Sequence, residues 1–377
     1  MSQTAIPNRT GPLEFEVPRE LEAHDPPEAR GLSRDAVRMM VAYRKAQRLV
    51  HAGFRDLARF LEPGDLLVIN NSGTLPASVP AGRADGTQLE LHLSTPLPSG
   101  QGPVDLARPP GPDPQVWVVE LRRPSGPDSL PFHGPTPGET LALPEASAEV
   151  LEPYPPDCGP FEDRPRESRL WTAALRLPSA LGPYLERHGH PIRYGYASKE
   201  WPISSYQTVY AMEVGSAEMP SAGRAFTPEM ITELISVGVD VAPVTLHAGV
   251  ASLEEHEEPP AEFYRVPEET ARRLTLARES GRRVIAVGTT VVRALETVAD
   301  DAGTVRAGRG WTKLMVSPER GVRVIDGLLT GWHEARASHL LMLEAVGGRE
   351  LLEMSYRSAI EHGYLWHEFG DLHLILP

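Results

Sequence analysis

A stretch dense in proline and glycine, residues 76–165, separates two parts of the chain that follow a different pattern. Within it, residues 88–93 and 116–121 form short runs of mostly alternating apolar and polar side chains. Short alternating runs between turn-forming residues, without a helical period, are typical of a small antiparallel barrel or sandwich. Residues 153–165 are expected to form the linker that leads out of it.

The C-terminal half alternates between helical and strand-like segments. Thr227 and Pro228 predict a capped helix start, and Gly238 suits the left-handed residue that ends this helix. Further helices are predicted at 267–280, from 291, and at 338–346 and 350–361, and strands at 239–246, 283–287, 322–329 and 372–376. Residues 36–71 are predicted to be helical and to close with a short apolar strand.

The first strand-like run precedes the proline-rich stretch and the others follow it. We therefore expect an α/β large domain with an inserted small antiparallel β-barrel domain. The large domain is expected to be discontinuous, over residues 1–75 and 156–377, with the barrel over residues 76–155.

Composition narrows the functional classes. The 377 residues carry a formal net charge of −14, which does not suggest a nucleic-acid-binding footprint. A single cysteine, Cys158, excludes a disulfide within the chain and a thiolate metal cluster. No apolar run reaches the roughly 20 residues that span a bilayer, and no secretory signal is visible, so a cytoplasmic protein is expected. The absence of a GxxxxGK loop excludes a P-loop nucleotidase, and a GxGxxG turn is also missing.

The most informative local segment reads VIAVGTTVVRALE. A short apolar strand, the turn Gly288-Thr289-Thr290 and a helix would place free backbone N–H groups and two hydroxyls at a positive helix end. Such an end binds anions, for example a phosphate or an α-carboxylate, and Arg293 could add a bidentate contact. The alternative is that Thr289 or Thr290 only caps the helix.

Two histidines follow predicted strands. His247 in VTLHAG and His333 in LLTGWH would lie at strand ends, which face the ligand crevice in open α/β sheets. A histidine there can act as a base near neutral pH, or can serve as a structural hydrogen-bonding group. No metal site is expected, because the acidic run 253–258 lacks ligand spacing.

Taken together and in order, these segments resemble the S-adenosylmethionine:tRNA ribosyltransferase-isomerase family of the queuosine pathway. The resemblance is carried by FEVPRELEAHDPPEAR, GDLLVINN, YQTVYA, PSAGRAFTPEM, VTLHAG, RRVIAVGTTVVRALE, IDGLLTGWH and FGDLHLI. It implies a monomeric enzyme with a large α/β domain and an inserted barrel. It also implies S-adenosylmethionine as a ribosyl donor, with no metal.

The implied reaction joins the ribosyl carbons to the aminomethyl group of 7-aminomethyl-7-deazaguanine in tRNA, giving epoxyqueuosine, adenine and methionine. The resemblance implies His247 and His333 as catalytic residues, with His247 as the candidate base or proton shuttle. It further implies a set of substrate-binding residues: Tyr206, Gln207, Ser221, Gly223, Gly288, Thr289, Thr290 and Arg293.

Several strand-end loops depart from the family pattern, and Ala225 stands where the family carries a histidine. Two alternatives therefore stay open. One is a divergent relative that uses S-adenosylmethionine with a small-molecule acceptor in place of tRNA. The other is a nucleoside-binding relative without catalytic activity.

Overall fold

Two large sheets organise this computed structural model, which describes residues 13–98, 102–125, 128–155, 168–250, 259–335 and 337–377. The larger sheet is mixed. Its strands are, in spatial order, β16 (Gly308–Thr312), β14 (Glu262–Val266), β13 (Asp240–Leu246), β3 (Leu66–Asn70), β15 (Val284–Val287), β17 (Gly327–Gly331), β18 (Leu372–Leu376), β1 (Arg38–Tyr43) and β2 (Arg48–Gly53). The four central strands β13, β3, β15 and β17 run parallel.

Both faces of the large sheet are covered. On β3, Leu66 and Val68 belong to one apolar cluster, and Leu67 and Ile69 belong to another on the opposite face. This alternation follows from the two-residue period of a strand, and burial on both faces is typical of parallel sheets. The first cluster contains residues of α3 (Glu268–Glu279), α4 (Thr289–Val298), α5 (Ser338–Gly347) and α6 (Arg349–Glu361), and the second contains residues of α2 (Pro228–Ser236).

The helix signals read from the C-terminal half are confirmed. The hydroxyl of Thr227 accepts a hydrogen bond from the backbone N–H of Met230 over 3.2 Å at the start of α2. Gly238 follows this helix with a φ of +87°, a conformation that favours glycine. Among the described residues, no helix is long and apolar enough to span a bilayer.

The second sheet closes into a barrel. Its strands are β5 (Ser78–Gly82), β6 (Gln88–Pro96), β7 (Gln115–Ser125), β8 (Asp128–Pro131), β9 (Thr140–Leu143), β10 (Ala146–Pro153) and β11 (Leu170–Arg176). The barrel closes because β11 pairs antiparallel with both β10 and β7, and β8 extends it beside β7. The inserted barrel predicted from the sequence is confirmed, but it continues past the expected boundary at residue 155, since β11 completes it.

The prediction of a helical pattern over residues 36–71 is wrong. This segment forms β1, β2, the 3-10 helix Phe54–Phe60 and β3. β1 pairs with β18 on one side and β2 on the other, and Met39, Met40, Val41 and Ala42 are all fully buried. Tertiary pairing and burial on both faces therefore override the local helical pattern.

Candidate functional site

A cavity of about 750 Å³ opens at the carboxyl edge of the large sheet. β15 and β17 lie side by side and parallel, and the residues that follow or end them, Gly288 and Thr330, line this cavity. Arg122 and Leu130 of the barrel form part of its wall. The cavity therefore lies where open α/β sheets bind ligands and where the barrel meets the large domain.

The turn that begins α4 contributes one side of the cavity. Gly288 is the N-cap residue, with a φ of +93°, and no side chain caps the helix. Thr289 and Thr290 are the first two helical residues, and both line the cavity. The structure thus brings together the predicted group of Gly288, Thr289 and Thr290 at a helix start that faces open space.

Asn70, which the sequence analysis did not single out, positions this turn. Its Nδ2 donates to the Leu246 carbonyl oxygen over 2.9 Å and to Thr290 Oγ1 over 3.1 Å. Its Oδ1 accepts from the backbone N–H groups of Leu246, over 3.0 Å, and Ser72, over 3.1 Å. This buried amide ties the ends of β3 and β13 to α4. The sequence signal that could have identified Asn70 is the pair of asparagines that ends GDLLVINN.

His333 lies in the wall of the cavity. Its Nε2 is 2.9 Å from the hydroxyl oxygen of Thr330, and its ring stacks on that of His339 with centroids 4.7 Å apart. Burial lowers the pKa of His333 well below its usual range and lowers that of His339 to about 4. Both imidazoles are therefore neutral at pH 7, and the same burial also weakens them as proton acceptors.

His247 does not line this cavity. It borders a separate small cavity of about 20 Å³, and its Nδ1 is 2.7 Å from the hydroxyl oxygen of Ser72. That hydroxyl is in turn 2.6 Å from the hydroxyl of Ser216. Burial lowers the pKa of His247 to about 4. Of the two histidines expected to be catalytic, His333 faces the large cavity, and His247 links the large sheet to the short strands β4 (Ser72–Thr74) and β12 (Glu213–Ser216).

Tyr206 and Gln207 also lie away from the cavity. Gln207 Nε2 donates to the Thr74 carbonyl over 2.8 Å, while its Oε1 accepts from the Thr74 N–H over 3.0 Å. The Tyr206 ring packs against Phe369, with centroids 5.3 Å apart. The contacts of Gln207 hold β4 in place, and Tyr206 packs in the core, so the structure gives both residues surroundings that support the fold.

The PSAGRAF segment is divided between the cavity and the core. Ser221 lines the cavity, whereas Gly223 is buried against Tyr210. A Cβ at position 223 would lie 2.0 Å from the Tyr210 hydroxyl oxygen, so this glycine permits close packing. Ala225 is buried in the same apolar cluster as Phe226 and does not line the cavity.

Arg293 borders an adjoining cavity of about 90 Å³, which shares Thr289, Thr290 and His339 with the larger one. Its guanidinium forms an ion pair with Glu262, and its Nε donates to the Leu314 carbonyl oxygen over 3.0 Å. Its remaining nitrogen, Nη2, is buried without a hydrogen-bond partner among the described residues. One donor of the predicted anion-binding arginine is therefore unused beside the start of α4.

Two tyrosine–glutamate pairs in the cavity wall were missed from the sequence. The hydroxyl of Tyr194 donates to Glu218, and that of Tyr196 donates to Glu368 over 2.5 Å. All four residues line the cavity. The sequence offers no period or spacing that links these positions, although the block FGDLHLI begins directly after Glu368.

The cavity therefore carries two kinds of polar surface. The uncapped start of α4 offers backbone and hydroxyl donors, which suit an anion. The carboxyl groups of Glu218 and Glu368 suit a cation or a hydrogen-bond donor. In the part of the chain that the structure describes, no three histidine, cysteine or acidic residues are placed to hold a metal ion. Cys158 and the acidic run 253–258 lie outside the described residues.

The whole chain is similar to proteins of one kind. A family model described as "Queuosine biosynthesis protein" matches residues 10–375. A relative from Thermotoga maritima, named S-adenosylmethionine:tRNA ribosyltransferase-isomerase, is 35% identical over 372 residues, covering 97% of this chain and 98% of the relative. One with the same name from Thermus thermophilus is 36% identical over 370 residues, covering 94% and 99%.

A solved structure supports the same assignment. The crystal structure of an S-adenosylmethionine tRNA ribosyltransferase from Thermotoga maritima matches with a TM-score of 0.50 at 31% sequence identity. The match covers 96% of this chain and 99% of the crystallised one. The chain is thus a member of the queuosine biosynthesis protein family, and both of these relatives are named S-adenosylmethionine:tRNA ribosyltransferase-isomerase.

Proposed function

We propose that this chain catalyses the reaction for which its relatives are named. It transfers and isomerises the ribosyl part of S-adenosylmethionine onto 7-aminomethyl-7-deazaguanine in tRNA, and it releases adenine and methionine. What supports this most is a cavity of about 750 Å³ at the carboxyl edge of the sheet, in a chain similar to these enzymes over almost its full length.

The donor is expected to bind with its methionine carboxylate at the start of α4. The N–H groups of the first helical turn, with the hydroxyls of Thr289 and Thr290, favour a negative group there. Arg293 Nη2, buried and without a hydrogen-bond partner among the described residues, adds a donor from the adjoining cavity. A carboxylate in this place would satisfy a nitrogen that is costly to leave unpaired.

His333 is the better supported candidate for the base. A sulfonium acidifies the adjacent ribose C5′–H, so a neutral imidazole of modest basicity can remove this proton to give an ylide. His333 lines the cavity, is neutral at pH 7 and is oriented by Thr330. Loss of adenine, attack by the acceptor amine and closure of the epoxide would follow, with methionine leaving. His247 would then support the fold through Ser72, whose hydroxyl contacts that of Ser216.

The test is incubation of the chain with S-adenosylmethionine and with tRNA that carries the aminomethyl base, followed by chromatography of adenine and methionine. The expected result is release of both in equal amounts, and only when this tRNA is present. Release with a small amine in place of tRNA would favour the divergent relative, and no release under any condition would favour the relative without activity.

The monomeric state implied by the resemblance and the cytoplasmic location expected from the sequence pattern remain predictions. Light scattering after size-exclusion chromatography should give a mass near the 41.2 kDa of one chain. A mass of twice this value would contradict the monomer.

A further inference from the structure

We infer that Glu368 recognises the primary amine of the acceptor base and accepts its proton before the amine attacks the donor. This role rests on the proposed function. It also identifies a residue that would distinguish a tRNA with the aminomethyl base from a tRNA with unmodified guanine. Glu368 lies in the wall of the same cavity as Thr289 and His333.

Glu368 lines the cavity and has no ion-pair partner among the described residues. Its hydrogen-bond partner is the hydroxyl of Tyr196 at 2.5 Å. Its own backbone N–H also favours the carboxylate. A carboxylate can accept about four hydrogen bonds, so the described residues leave part of its capacity unused.

Tyr196 is itself held firmly. Its ring stacks parallel on His367 with centroids 3.7 Å apart, and its carbonyl oxygen is 2.5 Å from Nδ1 of His24. Burial and the neighbouring Glu368 raise the pKa of the Tyr196 phenol well above its usual range, so the phenol remains a donor at neutral pH. One oxygen of Glu368 is thereby oriented, while the rest of the carboxylate is available to a ligand.

The chemistry of the acceptor matches this group. A primary ammonium has three donors and a full positive charge, and a carboxylate binds it through charge-assisted hydrogen bonds. The amine can attack only after it loses one proton. This proton passes from the ammonium nitrogen to an oxygen of Glu368, which leaves a neutral amine with a free electron pair and a neutral carboxylic acid. Burial raises the pKa of Glu368, which makes the carboxylate a better proton acceptor.

The donor also carries a primary ammonium, on its methionine part. The experiment must therefore show whether Glu368 binds the ammonium of the acceptor base or that of the donor. Two tRNAs serve as probes, one with the aminomethyl base and one with unmodified guanine at the same position. Binding of each is measured by fluorescence anisotropy, and binding of S-adenosylmethionine alone is measured by calorimetry. Glu368→Gln removes the charge, Tyr196→Phe removes the orienting hydroxyl, and Glu361→Gln makes the same change on the exposed end of α6 as a control.

The wild type is expected to bind the aminomethyl tRNA about 10- to 100-fold more tightly than the unmodified one, the range of a charge-assisted hydrogen bond. Glu368→Gln should abolish this preference and leave the affinity for S-adenosylmethionine within about twofold. Tyr196→Phe should reduce the preference partly, and Glu361→Gln should retain it. The pH profile of kcat/KM should lose the limb that reports protonation of the Glu368 carboxylate in Glu368→Gln, and should keep the limb that reports protonation of His333.

Three results would overturn the inference. They are a wild type without preference between the tRNAs, a Glu368→Gln variant that keeps the preference, and a loss of S-adenosylmethionine affinity in this variant without tRNA. The last would assign the carboxylate to the donor ammonium. Failure of the wild type to release adenine would reject the proposed function, while the tRNA-binding comparison would still decide the role of Glu368. A matching thermal midpoint for the variants excludes misfolding as the cause.

Discussion

The side-chain amide of Asn70 donates a hydrogen bond to the hydroxyl of Thr290 over 3.1 Å, and so joins the end of a central strand to the first turn of α4. The same amide bonds the backbone of Leu246 at the end of β13. Three elements at the carboxyl edge of the sheet therefore share one buried side chain. The turn that is expected to hold the donor carboxylate is positioned by a residue that need not touch the donor.

Asn70→Asp should weaken both folding and donor binding. The substitution replaces an amide donor by a carboxylate oxygen next to the Leu246 carbonyl and places a negative charge beside the anion site. We expect a loss of about 2–4 kcal/mol in unfolding free energy, from the lost hydrogen bonds and the buried charge. S-adenosylmethionine should lose more affinity than its decarboxylated form, which keeps the sulfonium and the ammonium and lacks only the carboxylate. Calorimetry with both ligands checks this, and equal losses would contradict the carboxylate position.

His333→Gln should reduce adenine release with tRNA by about 10²–10⁴-fold, the usual contribution of a general base. His247→Gln should act mainly through stability, because His247 contacts Ser72 and lies outside the large cavity. Single-turnover rates at saturating donor, together with the thermal midpoint of each variant, separate the two effects. If a stable His247→Gln protein loses more of the single-turnover rate than His333→Gln does, His247 is the base.

Gly223→Ala should destabilise the fold by about 1–3 kcal/mol, as expected for an overpacked core. The added Cβ would lie 2.0 Å from the hydroxyl oxygen of Tyr210, which is buried and has no hydrogen-bond partner among the described residues. Adding Tyr210→Phe to the Gly223→Ala variant should recover most of the lost unfolding free energy. Gly111→Ala should change this free energy little, because a Cβ there meets no atom within 4 Å. Urea unfolding measures the unfolding free energy of all three variants. Lost donor binding in a stable Gly223→Ala variant would instead support a binding role.

Acid should destabilise the protein through its buried histidines. Burial lowers the pKa of His373 to about 3, below its unfolded value, so the unfolded state binds more protons and stability falls as pH drops below 6.5. From pH 7 to pH 5 this one group should lower the unfolding free energy by about 2 kcal/mol. His373→Leu, which fits a site where neither ring nitrogen has a hydrogen-bond partner among the described residues, should reduce that loss. An unchanged pH dependence of unfolding would show that His373 is not buried as a neutral group.

The sequence predicted most of the large domain because its elements carry local signals. α2 has the capping Thr227, and β18 is a short apolar run that occupies the predicted residues 372–376. β1 was not predicted, since only its pairing with β18 and β2 makes it a strand. Strand register and burial depend on residues hundreds of positions away, which a local window does not contain.

The same difference between local signals and long-range contacts explains why only part of the candidate site was predicted. Gly288, Thr289 and Thr290 form one continuous motif, so a sequence pattern could identify their turn. The cavity wall that holds Glu368 and Tyr196 is assembled from separate segments, and its members share no spacing. His247 follows a strand as predicted, but the direction of its side chain toward Ser72 depends on β4 and β12, which lie far apart in the sequence.

A crystal structure with bound S-adenosylmethionine would show directly where the donor binds. We expect the donor in the large cavity, with its carboxylate within hydrogen-bond distance of Thr289 or Thr290 and its ribose next to His333. Density for the donor beside His247 in the smaller cavity, or a carboxylate turned away from the start of α4, would contradict this expectation.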